Sequence, residues 1–328
     1  MTSARPAIAC LGAGRMGRGI AVAFAYAGHA VALIDVKARS DDQFAALEAD
    51  ALGEISKTLA SLTRFGLLDG NDAESIIVRV SVVPAQDMAA AMADAGIVFE
   101  GVPEVVELKR EVLAAASKCV APDVIVASTT STILVDDLSS AVDHRERFLN
   151  VHWLNPAYLI PLVEISPGSA TDPAVTARVK ALLEGIGKVP VVCAATPGFI
   201  VPRIQALAMN EAARMVEEGV ASPEDIDKAI RYGFGFRYAV MGLLEFIDWG
   251  GGDILYYASR YLEGALGSDR YRAPDVISRN MASGRIGMRS GAGFLDYAGL
   301  DVDAYREQRL ATMVDLLRYF GLAKPPVL

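Results

Sequence analysis

The stretch Val151-His152-Trp153-Leu154-Asn155-Pro156, continued by Pro161-Leu162-Val163-Glu164, holds an imidazole and a carboxylate one hairpin apart. His152 follows the apolar run Phe148-Leu149-Asn150-Val151, and Glu164 sits inside Leu162-Val163-Glu164-Ile165, so both are expected in buried strands. A carboxylate among such neighbours needs a partner. An imidazole with one nitrogen held by a carboxylate has a fixed tautomer, and its other nitrogen is free to take the proton of an alcohol. Alone, a histidine in an apolar strand is more often a satisfied core group than a catalyst. The surrounding motifs favour the catalytic reading.

Those motifs begin at the N-terminus. Ala7-Ile8-Ala9-Cys10-Leu11 is a short apolar strand followed at once by Gly12-Ala13-Gly14-Arg15-Met16-Gly17 and a helix with Met16, Ile20, Phe24 and Ala27 on one face. Gly12 permits a tight turn, Gly14 lets a pyrophosphate approach the backbone, and Gly17 lets the helix pack on the strand. The next strand, Ala30-Val31-Ala32-Leu33-Ile34, ends in Asp35, whose carboxylate would take ribose hydroxyls and repel a 2′-phosphate. NAD is therefore expected over NADP, with Lys37 and Arg39 as the nearby opposing signal. Gly12, Gly14, Arg15, Met16, Gly17 and Asp35 are the expected cofactor-binding residues of this half.

Leu52, Ile55, Leu59 and Leu62 repeat at helical spacing within 41–66, predicting one or two amphipathic helices that form an arm before the strand Val78-Arg79-Val80-Ser81-Val82. Ile97-Val98-Phe99-Glu100 is the next buried strand, and Gly101-Val102-Pro103 leads into a helix near Glu104 that carries Lys109. Those two charges read equally as ligand contacts past a strand end or as a helix-start acid and a solvated lysine. Val124-Ile125-Val126-Ala127 runs into Ser128-Thr129-Thr130-Ser131, either a helix cap or part of the ligand-binding row of loops.

Asp172-Pro173 starts a helix that leads to Val189-Pro190-Val191-Val192-Cys193, the last expected strand. From Phe199 onward only helical spacing remains: Ile204 to Val216, a capped start at Ser222-Pro223-Glu224-Asp225, Val240 to Phe246, and Ile254 to Leu262. The expected architecture is α/β, a Rossmann-type doubly wound, mostly parallel sheet with a helical arm over residues 1–195. A smaller all-α domain over 196–328 follows. Its helices carry more apolar surface than a small bundle needs, so a homodimer through that domain is expected.

Composition excludes several partners. Of 328 residues 52% are hydrophobic and 22% charged, and the formal charge of −9 argues against nucleic acid or an anionic membrane, both bound through Lys and Arg clusters. Cys10, Cys119 and Cys193 show no metal-ligand spacing and read as buried free thiols, so no metal is expected. With no membrane-length apolar run and no signal-peptide core, the expected location is cytoplasmic.

Taken together, the sequence resembles the 3-hydroxyacyl-CoA dehydrogenase family over nearly its whole length. The carrying motifs are the Gly12 fingerprint with Asp35, Phe99-Glu100-Gly101-Val102-Pro103-Glu104 with Lys109, Ser128 to Ser131, and His152 to Pro156 with Glu164. Thr196-Pro197-Gly198-Phe199 and Gly287-Met288-Arg289-Ser290-Gly291-Ala292-Gly293-Phe294 complete the set. The resemblance implies a catalytic His152–Glu164 pair, Ser131 and Asn155 near the reacting carbons, and Glu104, Lys109, Ser131 and Asn155 beside the cofactor. Arg289 stands where the family usually has a cofactor-reaching Lys. The implied activity is NAD-dependent oxidation of a 3-hydroxyl, on a CoA thioester or a free acid, to the 3-oxo compound.

Three departures bear on substrate. The family has Asn directly before the Arg after the Gly-Phe motif, and here Pro202 precedes Arg203. The usual Ser-Asn-Thr-Ser reads Ser128-Thr129-Thr130-Ser131. Gly235 to Gly242 and Tyr158-Leu159-Ile160-Pro161 look more like the branch with carnitine dehydrogenase and the gulonate dehydrogenase related to lambda-crystallin, which act on free hydroxy acids. Between Val36 and Ser75 the chain of the arm and its flanks holds four basic residues (Lys37, Arg39, Lys57, Arg64) against eight acids (Asp41, Asp42, Glu48, Asp50, Glu54, Asp69, Asp72, Glu74), a poor surface for coenzyme A phosphates. Arg237 could bind a free carboxylate or pair within the fold, and Ser131 is the other expected substrate contact. A heteroaromatic or other small alcohol stays open, because Trp153, Tyr158, Phe246 and Trp249 could line a pocket or fill core. The rival of a different class is a non-catalytic NAD-binding protein, which would be expected to lose the acid–base pair first.

Overall fold

The computed structural model describes residues 5–69 and 71–327. Eight strands form one sheet: β1 (Ala7–Leu11), β2 (Val31–Ile34), β3 (Val80–Val83), β4 (Ala95–Glu100), β5 (Ile125–Ser128), β6 (Phe148–Trp153), β7 (Leu162–Pro167) and β8 (Val189–Val192). Their order is β3-β2-β1-β4-β5-β6-β7-β8, and every neighbouring pair is parallel except β6–β7. The chain order reverses between β1 and β4, where a doubly wound sheet opens its ligand crevice at the strands' carboxyl ends. The central strands are almost entirely buried because helices cover both faces. Pro190, which cannot donate to a ladder, sits in the edge strand β8.

Helices α1 (Arg15–Tyr26), α2 (Asp41–Arg64), α3 (Asp72–Ile77), α4 (Met88–Met92), α5 (Val106–Lys118), α6 (Val135–Ser139) and α7 (Pro173–Gly185) flank this sheet. The arm is one long helix, α2, followed by the short α3. Ser40 and Gln43 close a capping box at its start, Asp41 and Asp42 occupy its positive end, and Ala51, Ile55, Leu59 and Leu62 form its buried stripe. Arg18 of α1 ties the arm down: its guanidinium pairs with Glu54 and with Asp50 at 2.7 Å, while its Nε donates to Ala13 O.

Trp153 is core, not pocket lining. It is 1% exposed and packs edge-on against Phe24 and Phe99 with centroids 5.9 Å apart, because successive strand side chains point to opposite faces and His152 takes the other one. Of the cysteines, Cys10 is buried and burial pushes its thiol up to about 12. Cys119, capping α5, and Cys193, just past β8, are half-buried instead of buried as expected, because each lies at the end of its element.

The chain divides into two compact units, Met1–Met209 and Asn210–Leu328. The expected boundary at 195/196 lies before α8 (Val201–Glu217), whereas this division falls within it. The first turn of α8 stays with the sheet because Glu164 of β7 accepts from the amides of Ile200 and Val201. The second unit is helical: α9 (Pro223–Ala229), a π-helical stretch Ile230–Gly235, α10 (Phe236–Tyr238), α11 (Leu243–Gly250), α12 (Gly252–Leu266), α13 (Asp275–Ala282) and α14 (Val302–Tyr319). Val240 to Phe246 is not one helix as expected. Gly242 is extended and starts α11 afresh. Buried Asp248 organises the closing motif, accepting from Phe294 N (2.9 Å), Leu295 N (2.8 Å) and Tyr297 Oη (3.1 Å). Gly287 and Gly293 leave room for it, since a Cβ on Gly293 would lie 2.0 Å from its carboxylate.

Candidate active site

Antiparallel pairing of β6 with β7 sets His152 directly opposite Glu164. Cross-strand partners on one face meet, and here His152 Nδ1 lies 2.8 Å from Glu164 Oε2. The two are 4% and 1% exposed. Since a carboxylate only accepts, Nδ1 carries the proton, and Nε2, which has no partner among the described residues, presents its lone pair. Phe199 stacks on the imidazole with centroids 5.3 Å apart and planes 28° off parallel. It reaches there through a left-handed turn, with φ of 77° at Gly198 and 44° at Phe199.

Both oxygens of Glu164 are engaged. Its second oxygen accepts from Ile200 N at 2.9 Å and Val201 N at 2.8 Å, donors at the positive end of α8. Burial pushes this carboxyl upward, but the hydrogen bonds from His152, Val201 and Ile200 outweigh it and hold the group below its ordinary value of 4.5. Glu164 is thus a fixed anion behind the ring.

A cleft of about 460 Å³ opens where β1 and β4 end, lined by Gly12, Gly14, Arg15, Asp35, Lys37 and Arg39 among others. A dinucleotide fits the residues present. A Cβ on Gly17 would stand 2.1 Å from Gly12 O, so only glycine allows this turn, and a Cβ on Gly14 would meet nothing within 4 Å, leaving open space for a phosphate. The first intrahelical bond of α1 is Arg18 N to Gly14 O, so the amides of Arg15, Met16 and Gly17 precede it and can donate to an anion. The Met16 side chain instead packs against the core. Asp35 closes the far end at 5% exposure, paired with Arg39.

Lys109 is neither a solvated lysine nor a free hand for a ligand. It is 1% exposed, and its three donors go to Glu100 (2.9 Å), Val102 O (3.1 Å) and Glu104 (3.3 Å). Glu100, fully buried, also accepts from Val102 N at 2.7 Å and Ser128 Oγ at 2.6 Å. Glu104 in turn gathers the serine–threonine loop, accepting from Thr130 Oγ1, Ser131 N (3.1 Å), Thr132 N (3.1 Å) and Thr132 Oγ1 (3.0 Å). Burial raises its carboxyl, but Thr130, Lys109 and Thr132 outweigh that and leave it lowered. The loop after β5 is therefore bound to the loop after β4, and Ser131 projects exposed from it.

Asn155 lies on the turn after His152, beside a cavity of about 320 Å³ shared with Arg15, Arg18, Glu54, Thr58 and Tyr158. Buried Lys188 holds that turn by donating to Ala157 O (2.7 Å) and Ile160 O (2.8 Å). In the second unit, Arg289 pairs with Asp253 at 2.5 Å. Arg237 is exposed, donates to Gly233 O and stacks over Phe246 at 4.6 Å, with no carboxylate partner among the described residues. Sequence reasoning missed Glu100, Arg18, Phe199 and Lys188 as members of the site. Glu100 alone carried a signal: a charge closing an apolar strand, with a lysine nine residues on.

The sequence model described as 3-hydroxyacyl-CoA dehydrogenase, NAD binding domain matches residues 7–196, and the one for the C-terminal domain matches 198–297. The chain belongs to the 3-hydroxyacyl-CoA dehydrogenase family. It is thus an NAD-dependent oxidoreductase acting on CH–OH groups, with the expected Rossmann and helical organisation. It is 32% identical over 318 residues (95% of this chain, 97% of the other) to the 5-formyl-3-hydroxy-2-methylpyridine 4-carboxylate 5-dehydrogenase of Mesorhizobium japonicum. Lambda-crystallin of Oryctolagus cuniculus is 36% identical over 256 residues, 77% of each chain. The crystal structure of a 3-hydroxyacyl-CoA dehydrogenase from Archaeoglobus fulgidus superposes with a TM-score of 0.75 at 32% identity, covering 97% of this chain and 100% of that one.

Proposed function

We propose that this family member oxidises the secondary hydroxyl of a small free hydroxy acid to the oxo acid, with His152 as general base and Glu164 as its fixed counter-ion. The observation that carries the reading is the buried His152–Glu164 pair with Nε2 left unpartnered. His152 Nε2 takes the hydroxyl proton as the hydrogen on the carbinol carbon leaves with its bonding electron pair as hydride. NAD, when bound, supplies the hydride acceptor. Glu164 stabilises the imidazolium without taking the proton, because the three hydrogen bonds it accepts favour its ionised form. Phe199 excludes water from one ring face and holds the plane. Asn155 and Ser131, on turns pinned by Lys188 and Glu104, orient the substrate oxygen and the nicotinamide ring, and Glu104 serves the cofactor side of that loop.

Charge supports a free acid over a CoA thioester. The arginine that faces the arm, Arg18, is already neutralised by Asp50 and Glu54, so the arm offers phosphates more repulsion than attraction. Arg237, with its open guanidinium fork, is the second unit's candidate for the substrate carboxylate, and Arg289 for a cofactor contact. The pyridine carboxylate in the Mesorhizobium relative's name is consistent with a substrate bearing a free carboxylate. The protein is further proposed to be a cytoplasmic homodimer. Its three free thiols suit a reducing compartment, and Ile254, Tyr257 and Tyr261 leave one face of α12 apolar at 62%, 63% and 73% exposure.

The deciding experiment follows NADH at saturating NAD⁺ with a panel of free 3-hydroxy acids, and NADH consumption with acetoacetyl-CoA. Turnover of free acids with a kcat/KM at least about tenfold above that of the thioester, roughly one charge-assisted hydrogen bond's worth, is the expected outcome. Efficient thioester turnover would assign the substrate to the CoA side of the family.

A further inference from the structure

Lys188 is a buried cation with no acid to answer it. It is 8% exposed, and Nζ donates to Ala157 O at 2.7 Å and Ile160 O at 2.8 Å while standing 5.8 Å from the centre of the Trp153 ring. An ammonium carries three donors. The third has no acceptor, and the charge no carboxylate, among the described residues. Carbonyls and a ring face solvate the cation only in part, and burial lowers the Lys188 pKa from its ordinary 10.5. A cavity of about 230 Å³ opens beside it, between α1, the end of α2, the turn after β6 and the loop joining α7 to β8. Val22, Leu62 and Ile186 give it apolar walls, and Lys188 is the only charged residue among the described ones that line it. Tyr26, Leu67 and Leu159, all exposed, make up its solvent edge. The cavity lies on the Trp153 side of the sheet, away from the side that His152 faces.

We propose that this cavity binds a small amphipathic monocarboxylate, whose carboxylate pairs with Lys188 and whose hydrocarbon part fills the apolar walls, at a site separate from hydride transfer. Size supports a small ligand: a cavity of about 150 Å³ admits benzene, so this one suits about nine heavy atoms. Charge supports a single carboxylate. A neutral ligand leaves the ammonium unanswered, and a phosphate or a second carboxylate brings a further charge among apolar side chains with no cation to meet it. One carboxylate accepts the third N–H and neutralises the cation, a charge-assisted pair in a place largely closed to water. The bonds from Lys188 to Ala157 O and Ile160 O stay in use, so the turn after β6 remains held. The wall opposite is no obstacle, since Ala23 presents only a methyl group there.

This site is independent of the substrate reading, and because that substrate is also a carboxylate the two must be told apart. Calorimetry titrates the NAD⁺-saturated protein with heptanoate, and with heptan-1-ol as the uncharged control. Heptanoate should bind saturably, one per chain, and at least about tenfold more tightly than the alcohol, the worth of one charge-assisted hydrogen bond. Lys188→Met should remove that margin. Ala23→Leu, which narrows the cavity from α1 without touching the turn, should weaken heptanoate at least about tenfold, and it decides the matter if Lys188→Met does not fold. Arg237→Leu should leave heptanoate affinity unchanged. Absence of saturable binding, equal affinity for acid and alcohol, or wild-type affinity in Ala23→Leu would overturn the proposal. Binding lost in Arg237→Leu but kept in Lys188→Met would overturn it too, and would put the acid at the substrate carboxylate's place.

Discussion

Glu164 is the residue on which the proposed chemistry turns, and its environment makes a pH prediction. Its folded carboxyl is depressed below 4.5 through hydrogen bonds from His152, Val201 and Ile200 that outweigh burial. A depressed acid contributes stability that is fully present above its unfolded value and is lost as pH falls through the folded one. Denaturant unfolding from pH 6 down to 3 should therefore show wild-type stability falling below about pH 4.5, with a shallower fall in Glu164→Gln. Identical slopes would mean the carboxylate is not held as described. Much of this was legible in the sequence: a charged residue in an apolar strand demands a partner, and hairpin spacing put His152 within reach. The ring's stacking on Phe199 was not, because it depends on a left-handed non-glycine turn that no local pattern announces.

At the level of elements, the Glu100–Lys109–Glu104 chain binds the ends of β4 and β5 into one rim. Lys109→Met leaves Glu100 as an uncompensated buried charge and should cost about 3–5 kcal/mol in urea unfolding. The double variant Glu100→Gln, Lys109→Met should lose less than the two single losses combined, because the stranded charge is gone. Additive losses would show that the pair does not act as a unit. Periodicity gave the sequence of strands and helices, since buried parallel strands and amphipathic helices imprint their periods directly. It left Lys109 open between a ligand contact and a solvated face, since a helix period places a residue on a face without telling what that face meets. Val240 to Phe246 failed similarly: an apolar run hid the helix start at Gly242.

For the whole molecule, a formal charge of −9 and an arm whose facing arginine is spent on Asp50 and Glu54 describe a protein that does not seek polyanions. Light scattering at micromolar protein should give about twice 34.8 kDa, and Tyr257→Glu on the exposed face of α12 should lower it toward one. A monomer in the wild type would remove the dimer from the account. That the start of α8 belongs to the sheet was not legible, because it rests on hydrogen bonds that composition cannot register.

The most direct test of the central claim measures kcat for NADH formation in wild type and Glu164→Gln on one hydroxy-acid substrate, with NAD⁺ affinity determined on the same preparations. A carboxylate that orients the base and stabilises its protonated form should be worth about 10²–10⁴ in kcat while NAD⁺ affinity stays within a few fold. A kcat within a few fold of wild type would contradict the assignment of His152 and Glu164 as the catalytic pair.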